Sequence, residues 1–301
     1  MSRSGKGYFF AIMSGLIYGI IPLAILSVSR THAASSAFCL TARMVIGFLV
    51  LLPLALKRAR TTKRPPHCWP KTAVAALLGT ATCVLLYACY EYIPSGIGIT
   101  IHYLYPACCL LFNVIFFKEK VARATVIALI LSVAGVALMC DPQALPEGAW
   151  KGLLLAFVSA LCCGLTFLYL EKSGLADEDT PVYCDRQLLF SSIFLTAYVA
   201  FRGELHAEWS PAVVFCLIAA GVLGLLALLI QLKGIELVGA DITTILATLE
   251  PITLAIGGVL LLGDSLSLRS WCGIAMVLAG VILITLAGKK KEEGTLPDSS
   301  V

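Results

Sequence analysis

The chain is poor in charge. Asp, Glu, Lys and Arg make up 13% of its 301 residues, against roughly 25% in a soluble domain. Hydrophobic residues make up 59% and form runs long enough to cross a bilayer. The net charge of +4 is carried in short basic clusters beside these runs, which argues against binding to a nucleic acid. The composition predicts an all-α protein embedded in a lipid bilayer.

Several kinds of chemistry find no support in the sequence. It contains no G-x-x-x-x-G-K-[ST] motif, so ATP drive from this chain is not expected. The twelve cysteines include no C-x-x-C pair and no histidine at ligand spacing from a cysteine pair, so we expect no metal and no other cofactor. Most cysteines lie within apolar runs, where we expect them to be small packing residues.

A repeat is the main feature that is present. Lys6-Gly7 returns as Lys151-Gly152, and Pro106 returns as Pro251, at an offset of 145 residues. Such matches are informative because charged residues and proline are costly inside membrane helices. Each copy contains five apolar runs, and an odd number makes the second copy enter the bilayer from the opposite face. We therefore predict two inverted five-helix repeats, residues 1–143 and 144–288, around a central cavity.

Ten transmembrane helices are predicted from the apolar runs. They are expected near 7–28, 37–56, 72–92, 94–117, 121–140, 149–171, 185–202, 211–232, 239–263 and 267–287. Basic clusters follow the second, fourth and tenth runs, and cationic residues favour cytoplasmic loops. We therefore expect a multi-pass protein of a bacterial inner membrane with both termini in the cytoplasm. Residues 289–301 are mostly polar and are predicted to form a disordered cytoplasmic tail.

Two residues should reach the middle of the bilayer from opposite faces. Tyr105 lies ~16 Å along the fourth helix and Glu250 ~15 Å along the ninth, and half of a ~30 Å hydrocarbon core is ~15 Å. The two are repeat equivalents, and each precedes a proline, Pro106 or Pro251, that predicts a kink. The helix faces that carry them form a candidate substrate site, namely Gly98, His102, Tyr105, Cys109 and Asn113 with Thr243, Ala247, Glu250, Leu254 and Gly258. The alternative is two packed helix faces with a kink.

Three ionisable residues are the sharpest candidates. A carboxylate at the midplane costs at least ~2.5 kcal/mol, so Glu250 is interpreted as a proton-coupling group or a ligand for an amine-bearing substrate. The alternative is a protonated Glu bonded to a neighbouring helix. His102 would titrate or bind a carboxylate, or remain neutral and bond across helices. Arg43 would hold an anionic group in the cavity, or extend to the interface. Tyr87 and Gln231 are weaker substrate-binding candidates.

Small side chains mark two further helices. Ser132, Gly135, Ala275, Ala279 and Gly280 form surfaces on the fifth and tenth helices that permit close packing. Packing within one chain is favoured, and a homodimer is the alternative to a monomer.

The chain resembles the drug/metabolite transporter superfamily, specifically an EamA-like permease. The segments that carry the resemblance are 97–106, 117–120 and 132–135 in the first copy, and 246–251, 262–265 and 278–280 in the second. Asp264 stands where the family usually has Glu. The resemblance implies a ten-helix inverted-repeat bundle and the movement of small organic metabolites, often amino acids or related compounds and commonly outward.

The sequence therefore predicts a secondary transporter rather than an enzyme. It would move an amphiphilic metabolite, such as an amino acid or a related compound, out of the cell by alternating access, with possible proton coupling through Glu250. A nucleotide-sugar exchanger of the same superfamily is an alternative. A channel would need continuous rings of charge or exposed carbonyls, and a membrane-embedded enzyme would need clustered catalytic residues near one interface.

Overall fold

The described residues form α-helices joined by short connections. A computed structural model of the protein describes residues 3–60, 68–118, 123–139, 145–175, 178–238, 243 and 246–293. The helices are α1 (Arg3–Arg30), α2 (Ser36–Ala59), α3 (Cys68–Cys89), α4 (Ser95–His102), α5 (Tyr105–Phe117), α6 (Arg123–Met139), α7 (Ala149–Ser173), α8 (Thr180–Phe201), α9 (Pro211–Val238), α10 (Leu249–Leu261) and α11 (Leu268–Glu293).

Six helical segments are long and apolar enough to cross a membrane. They are Gly5–Arg30, Ser36–Ala59, Cys68–Cys89, Ser95–Phe116, Ala149–Ser173 and Pro211–Val238. Three shorter apolar helices are Val126–Met139, Leu249–Leu261 and Leu268–Leu283. The protein is thus a helical membrane protein, whereas the count of ten spans stays a prediction.

The fourth predicted span differs from its prediction. The segment Ser95–Phe116 is long and apolar enough to cross the membrane, as predicted, but Tyr103 and Leu104 form a turn that divides it into α4 and α5. Pro106 then lies in the first turn of α5, where a missing backbone N–H costs no helical hydrogen bond. The second copy repeats this arrangement, since Thr248 is a turn residue and Pro251 lies in the first turn of α10.

Several predicted boundaries also move. Helix α8 begins at Thr180 rather than 185, with Pro181 in its first turn. Helix α11 continues to Glu293, so residues 289–293 of the predicted tail are helical. Residues 239–242, 244 and 245 of the ninth predicted span lie outside the described residues, as do residues 140–144 at the predicted repeat boundary and residues 294–301 of the tail.

Helix pairings follow a two-fold pattern. Helix α1 packs on α9, and the equivalent helices of the other copy, α7 and α3, also pack on each other. Helix α2 likewise contacts α9, and α8 contacts α3. Two further pairs join equivalent helices directly, α2 with α8 and α6 with α11, and the contact of α1 with α10 corresponds to that of α7 with α5. Exchanging the two copies therefore leaves the set of major contacts unchanged.

Glycines repeat this pattern at the level of single atoms. A Cβ at Gly19 of α1 would lie 2.8 Å from the carbonyl oxygen of Glu250. Its repeat equivalent Gly164, on α7, has the same relation to Tyr105, the equivalent of Glu250, at 3.1 Å. Only glycine permits these distances, because a Cβ would overlap the backbone of the facing helix. The first helix of each copy thus packs directly against the broken helix of the other.

The small-residue surfaces on α6 and α11 pack against each other. A Cβ at Gly135 would lie 2.7 Å from the carbonyl oxygen of Gly273, and a Cβ at Gly280 would lie 2.7 Å from that of Ala128. Ser132 lies in the same contact and is fully buried. These surfaces are therefore used inside the chain, as the sequence favoured.

We predict that Gly164→Val destabilises the folded protein by about 1–3 kcal/mol, because the new side chain overlaps the backbone of α5 and overpacks the contact. Thermal unfolding of the purified protein in detergent would measure the loss. Gly79→Ala is the matched control, since a Cβ there meets only the Gln187 amide nitrogen at 3.7 Å. Equal stability of the Gly164 variant and the native chain would contradict this packing.

Candidate functional site

The two broken helices meet at a hydrogen bond that the sequence did not predict. The hydroxyl of Tyr103, in the turn between α4 and α5, lies 2.8 Å from Oε2 of Glu250 and 2.8 Å from the carbonyl oxygen of Ala247. It has one proton and donates to one of these acceptors at a time. Glu250 lies in the first turn of α10, where the helix dipole favours a negative charge.

Tyr105 joins Glu250 only through other aromatic rings. Its ring stacks on Phe167 of α7 with centroids 5.1 Å apart, and it lies 5.9 Å from the rings of both Tyr103 and His102. Tyr103 is therefore the direct neighbour of Glu250, and Tyr105 is one ring further away.

His102 is bonded across helices. Its Nδ1 lies 3.0 Å from the hydroxyl of Ser159 on α7, and that hydroxyl donates to the carbonyl oxygen of Thr82 on α3 at 2.8 Å. Because Ser159 has already given its only proton to Thr82, Nδ1 of His102 must carry hydrogen and donate. The chain from His102 through Ser159 to Thr82 joins three helices in the buried interior.

A cavity of about 310 Å³ lies in the middle of the bundle. It is enclosed by the first three helices of each copy, α1, α2 and α3 with α7, α8 and α9. Its walls are formed by Tyr18, Arg43, Met44, Gly47, Gly79, Thr82, Cys83, Cys163, Thr166, Cys184, Gln187, Leu188, Ser191, Gly221, Gly224, Leu225 and Leu228. We call it the central cavity.

The central cavity lies between the two copies. Its walls contain four pairs of residues that are separated by the repeat offset: Tyr18 with Cys163, Arg43 with Leu188, Gly79 with Gly224, and Cys83 with Leu228. A space bounded by both members of such pairs must lie where the two copies meet. Inverted-repeat transporters bind their substrates at this kind of interface.

A second and larger space lies next to the central cavity, toward the connection between α1 and α2. It measures about 930 Å³ and lies where α1 ends and α2 begins. We call it the vestibule. The acidic, basic and histidine residues of its wall are Arg30, His32, Glu91, Arg202, Glu204 and His206. The deepest wall residues, Leu40 and Tyr87, lie about one helical turn from Arg43 and Cys83 of the central cavity.

Electrostatics in the vestibule are mixed. Burial, and then the nearby Glu204 carboxylate, raise the pKa of Glu91, while Arg202 opposes this shift. Arg202 and Glu204 form an exposed ion pair at 2.9 Å. The vestibule therefore presents both signs of charge.

Ion pairs tie the helices together at both ends of the bundle. At the vestibule end, Asp264 accepts from Arg30 at 2.7 Å and from the backbone N–H and hydroxyl of Ser95 at 2.8 and 2.6 Å. At the opposite end, Arg186 pairs with Glu178, and its guanidinium lies 5.6 Å from the ring centroid of Trp69. Arg186 and Glu178 are nearly buried, with side chains 4% and 13% exposed.

The predicted site residues are divided among several places. Arg43 lies in the wall of the central cavity, and Tyr87 lies in the vestibule. His102, Tyr105 and Glu250 form the cluster beside the central cavity but are not wall residues of either space.

The remaining candidates are not brought together with them. Gly98 packs against Cys89 and Tyr90 of α3, since a Cβ there would lie 2.6 Å from the Cys89 sulfur. Thr243 is 1% exposed. Gln231 is half-buried on α9, and Asn113 is half-buried on α5 with an Oδ1 that has no hydrogen-bond partner among the described residues.

Several wall residues were missed by the sequence reasoning. Tyr18, Cys184 and Gln187 were not proposed as site residues, and Cys83 and Cys163 were predicted to be packing residues. The repeat itself held a usable signal, because Tyr18 with Cys163 and Cys83 with Leu228 occupy equivalent positions in the two copies.

These features define a multi-pass helical membrane protein with an interior cavity between two repeats. The model of the EamA-like transporter family matches residues 5–140 and 150–286, one match for each copy. The chain therefore belongs to the EamA-like transporter family, as its motifs indicated.

Similar proteins carry transporter names. The chain is 26% identical over 262 residues to the uncharacterized transporter YvbV of Bacillus subtilis, covering 84% of each chain. It is 32% identical over 103 residues to the uncharacterized inner membrane transporter YicL of Salmonella typhimurium, covering 34% of each. A crystal structure of a protein with 16% identity superimposes with a TM-score of 0.61, covering 94% of this chain and 98% of that one; this likeness shows the fold alone.

We predict that Ser159→Ala destabilises the protein by about 1–3 kcal/mol, because it leaves the His102 N–H without an acceptor in the buried interior. Thermal unfolding in detergent would measure the change. Ser27→Ala is the control, since the Ser27 hydroxyl is exposed and bonds only to its own helix at the Ala24 carbonyl. A loss no larger than that of the control would contradict the proposed network.

Proposed function

We propose that this protein is a secondary transporter that moves a small organic metabolite across a bacterial inner membrane by alternating access. The observation that carries the proposal is the central cavity, which is bounded by equivalent residues of both copies and has a cationic side chain in its wall. Ten spans, arranged as two inverted repeats of 1–143 and 144–288, would bring these residues to the same depth from opposite faces. The basic clusters favour both termini in the cytoplasm.

The size of the central cavity supports a small solute. Ligand pockets typically range from about 300 to 1,000 Å³, and this cavity, at about 310 Å³, is at the lower limit. A nucleotide sugar would need more space and several cationic partners for its phosphates. An amino acid or a related amphiphilic compound, exported from the cell, fits the volume better. The protein would act as a monomer, because its small-residue surfaces are used internally.

The separation of the two spaces supports a carrier rather than a channel. The vestibule opens at one end, whereas the Glu178–Arg186 pair and Trp69 close the α3–α7–α8 contact at the other. We propose that the two hairpins, α3 with α4 and α9 with α10, are gates that move about the Tyr103–Glu250 contact.

Counterflow in proteoliposomes tests the transport function directly. Vesicles would be loaded with a mixture of amino acids and small carboxylates, and the uptake of each labelled compound would be measured. A carrier gives faster uptake when the same compound is present inside, whereas a channel gives no such stimulation. Absence of stimulation for every compound would contradict the proposal.

Glu250 is proposed to be the proton-coupling group. It interacts electrostatically with Arg43 of the central cavity and is bonded to the turn residue Tyr103. Glu250 therefore links the charge of Arg43 to the broken helices. The protonated and ionised forms of its carboxyl group would favour different positions of these helices relative to the cavity.

We predict that Glu250→Gln abolishes uptake driven by a pH gradient while counterflow at fixed pH continues, because Gln keeps the hydrogen bond to Tyr103 but cannot release a proton. Uptake into proteoliposomes with and without the gradient would measure the effect. Glu236→Gln is the control, since Glu236 is exposed and pairs with Lys233 at the end of α9. Full pH-dependent uptake by the Glu250 variant would overturn this role.

Alternating access makes a separate prediction for the closed end. Glu178→Gln weakens the pair with Arg186, and it should increase labelling of Cys184 by an impermeant thiol reagent added on the side of the α7–α8 connection. The control is Glu171→Gln, which removes an exposed pair with Lys172 at the same end and should have little effect. Unchanged labelling of Cys184 in the Glu178 variant would contradict a gate at this position.

A further inference from the structure

The wall of the central cavity contains a single charged side chain. Among its residues only Arg43 is ionic, and no Asp or Glu is present. The Arg43 guanidinium lies against Gly224 of α9, where a Cβ would be 2.9 Å from Nε and 3.3 Å from Nη2. The missing side chain at 224 therefore makes room for the guanidinium beside the cavity.

Among the residues that the structure describes, Arg43 has no acidic partner at ion-pair distance. The ion pairs of the described residues join Arg30, Lys172, Arg186, Arg202 and Lys233 to their carboxylates, and none includes Arg43. Glu250 interacts with Arg43 only at longer range, and its Oε2 is bonded to Tyr103. An arginine does not lose its proton inside a protein, so the cavity keeps an uncompensated positive charge that an anionic ligand would neutralise.

The presence of one arginine and no acidic residue among the wall residues indicates the charge of the ligand. A phosphate monoester carries nearly two negative charges at pH 7, and one arginine would leave about half of that charge without a partner. A zwitterionic amino acid would need an acidic acceptor for its ammonium group, and the wall contains none. One carboxylate matches one guanidinium, with two parallel hydrogen bonds in the geometry that arginine favours.

The rest of the wall fits an apolar ligand body. The thiols of Cys83, Cys163 and Cys184 are weak hydrogen-bonding groups, and Met44, Leu188, Leu225 and Leu228 add aliphatic surface. The stronger polar groups are few, namely the side chains of Tyr18, Thr82, Thr166, Gln187 and Ser191. A body with many hydroxyls would lose its hydration here without equivalent partners.

We propose that the central cavity binds a small monocarboxylate anion, with its carboxylate on Arg43 and its neutral apolar body among the cavity thiols. This assignment rests on the proposed transport function, and it narrows the substrate from amino acids and related compounds to organic acids of net charge −1.

Binding is tested with probes that share one carbon skeleton. The purified full chain would be treated with methyl methanethiolsulfonate in the presence of 4-methylpentanoate, leucine or 4-methylpentanamide, and of phenylacetate as a second carboxylate. Mass spectrometry of peptides would follow modification of Cys83 and Cys163, with the exposed Cys272 on α11 as the reference thiol. The two carboxylates should protect the cavity thiols, and leucine and the amide should not, while Cys272 reacts equally in all samples.

Variants connect this protection to Arg43. Arg43→Gln should weaken protection by 4-methylpentanoate at least roughly tenfold, because a charge-assisted bidentate contact is lost. Gly224→Ala places a methyl group against the guanidinium and should also weaken this protection. It replaces Arg43→Gln in the test if that variant does not fold. Lys57→Gln is the control, since it removes a positive charge from the exposed end of the same helix.

Each outcome decides one of the two proposals. Protection by the amide or by leucine at the same concentrations, unchanged protection in the variants, or no protection by either carboxylate would overturn the monocarboxylate site. Counterflow of 4-methylpentanoate in proteoliposomes is measured in parallel. Protection without counterflow would support the binding site and contradict the transport function. Counterflow of leucine that does not depend on Arg43 would support transport and contradict the carboxylate assignment.

Discussion

Close contact between glycine and backbone is the constraint on which the rest of the structure depends. Gly19 allows α1 to rest on the first turn of α10, and Gly164 allows α7 to rest on the first turn of α5. These contacts hold the broken helices at the depth where their turns face each other, so that Tyr103 reaches Glu250. They also bring α1 and α7 toward the repeat axis, where Tyr18 and Cys163 become wall residues of the central cavity.

Much of the fold was predictable because the residues that recur between the two copies are types that are costly in a membrane. Proline, glycine and charged residues at a fixed offset predict two equivalent bundles, and the family model matches the chain twice, at 5–140 and 150–286. The break between α4 and α5 was less accessible. Pro106 and Pro251 indicate weakened helices, but the turns lie before them, at Tyr103 and Leu104 and at Thr248.

The candidate site was harder to predict, for a geometric reason. The sequence reasoning placed the fourth and ninth spans at the cavity because Tyr105 and Glu250 reach the bilayer centre. Depth fixes only one coordinate, however, and says nothing of distance from the axis. The walls come instead from the first three helices of each copy, so Arg43 is a wall residue while Glu250 lies beside the cavity. Tyr103 was missed because the prediction followed the helix face that carries His102 and Tyr105, and Tyr103 does not lie on that face in a regular helix.

The two copies share a backbone but not a chemistry, and this difference gives the cavity its polarity. Arg43 faces Leu188 across the axis as its repeat equivalent, and Tyr18 corresponds to Cys163. The cationic wall residue, Arg43, therefore comes from the first copy, whereas both copies contribute hydrogen-bonding side chains and thiols. A charge on one side of the cavity alone would hold an amphiphilic solute in one orientation.

The contacts at the two ends of the bundle are suited to opening. When an apolar closure separates, it exposes hydrophobic surface to water, and this costs a free energy of about 25 cal/mol for each Å². The Glu178–Arg186 pair behaves differently, because water solvates both charges once they separate and offsets most of the lost attraction. The Arg30–Asp264 contact at the vestibule end is already partly hydrated, with the Arg30 side chain 34% exposed. In the alternating-access carrier proposed above, charged closures would keep the energies of the open and closed states close together, so that both states could be visited.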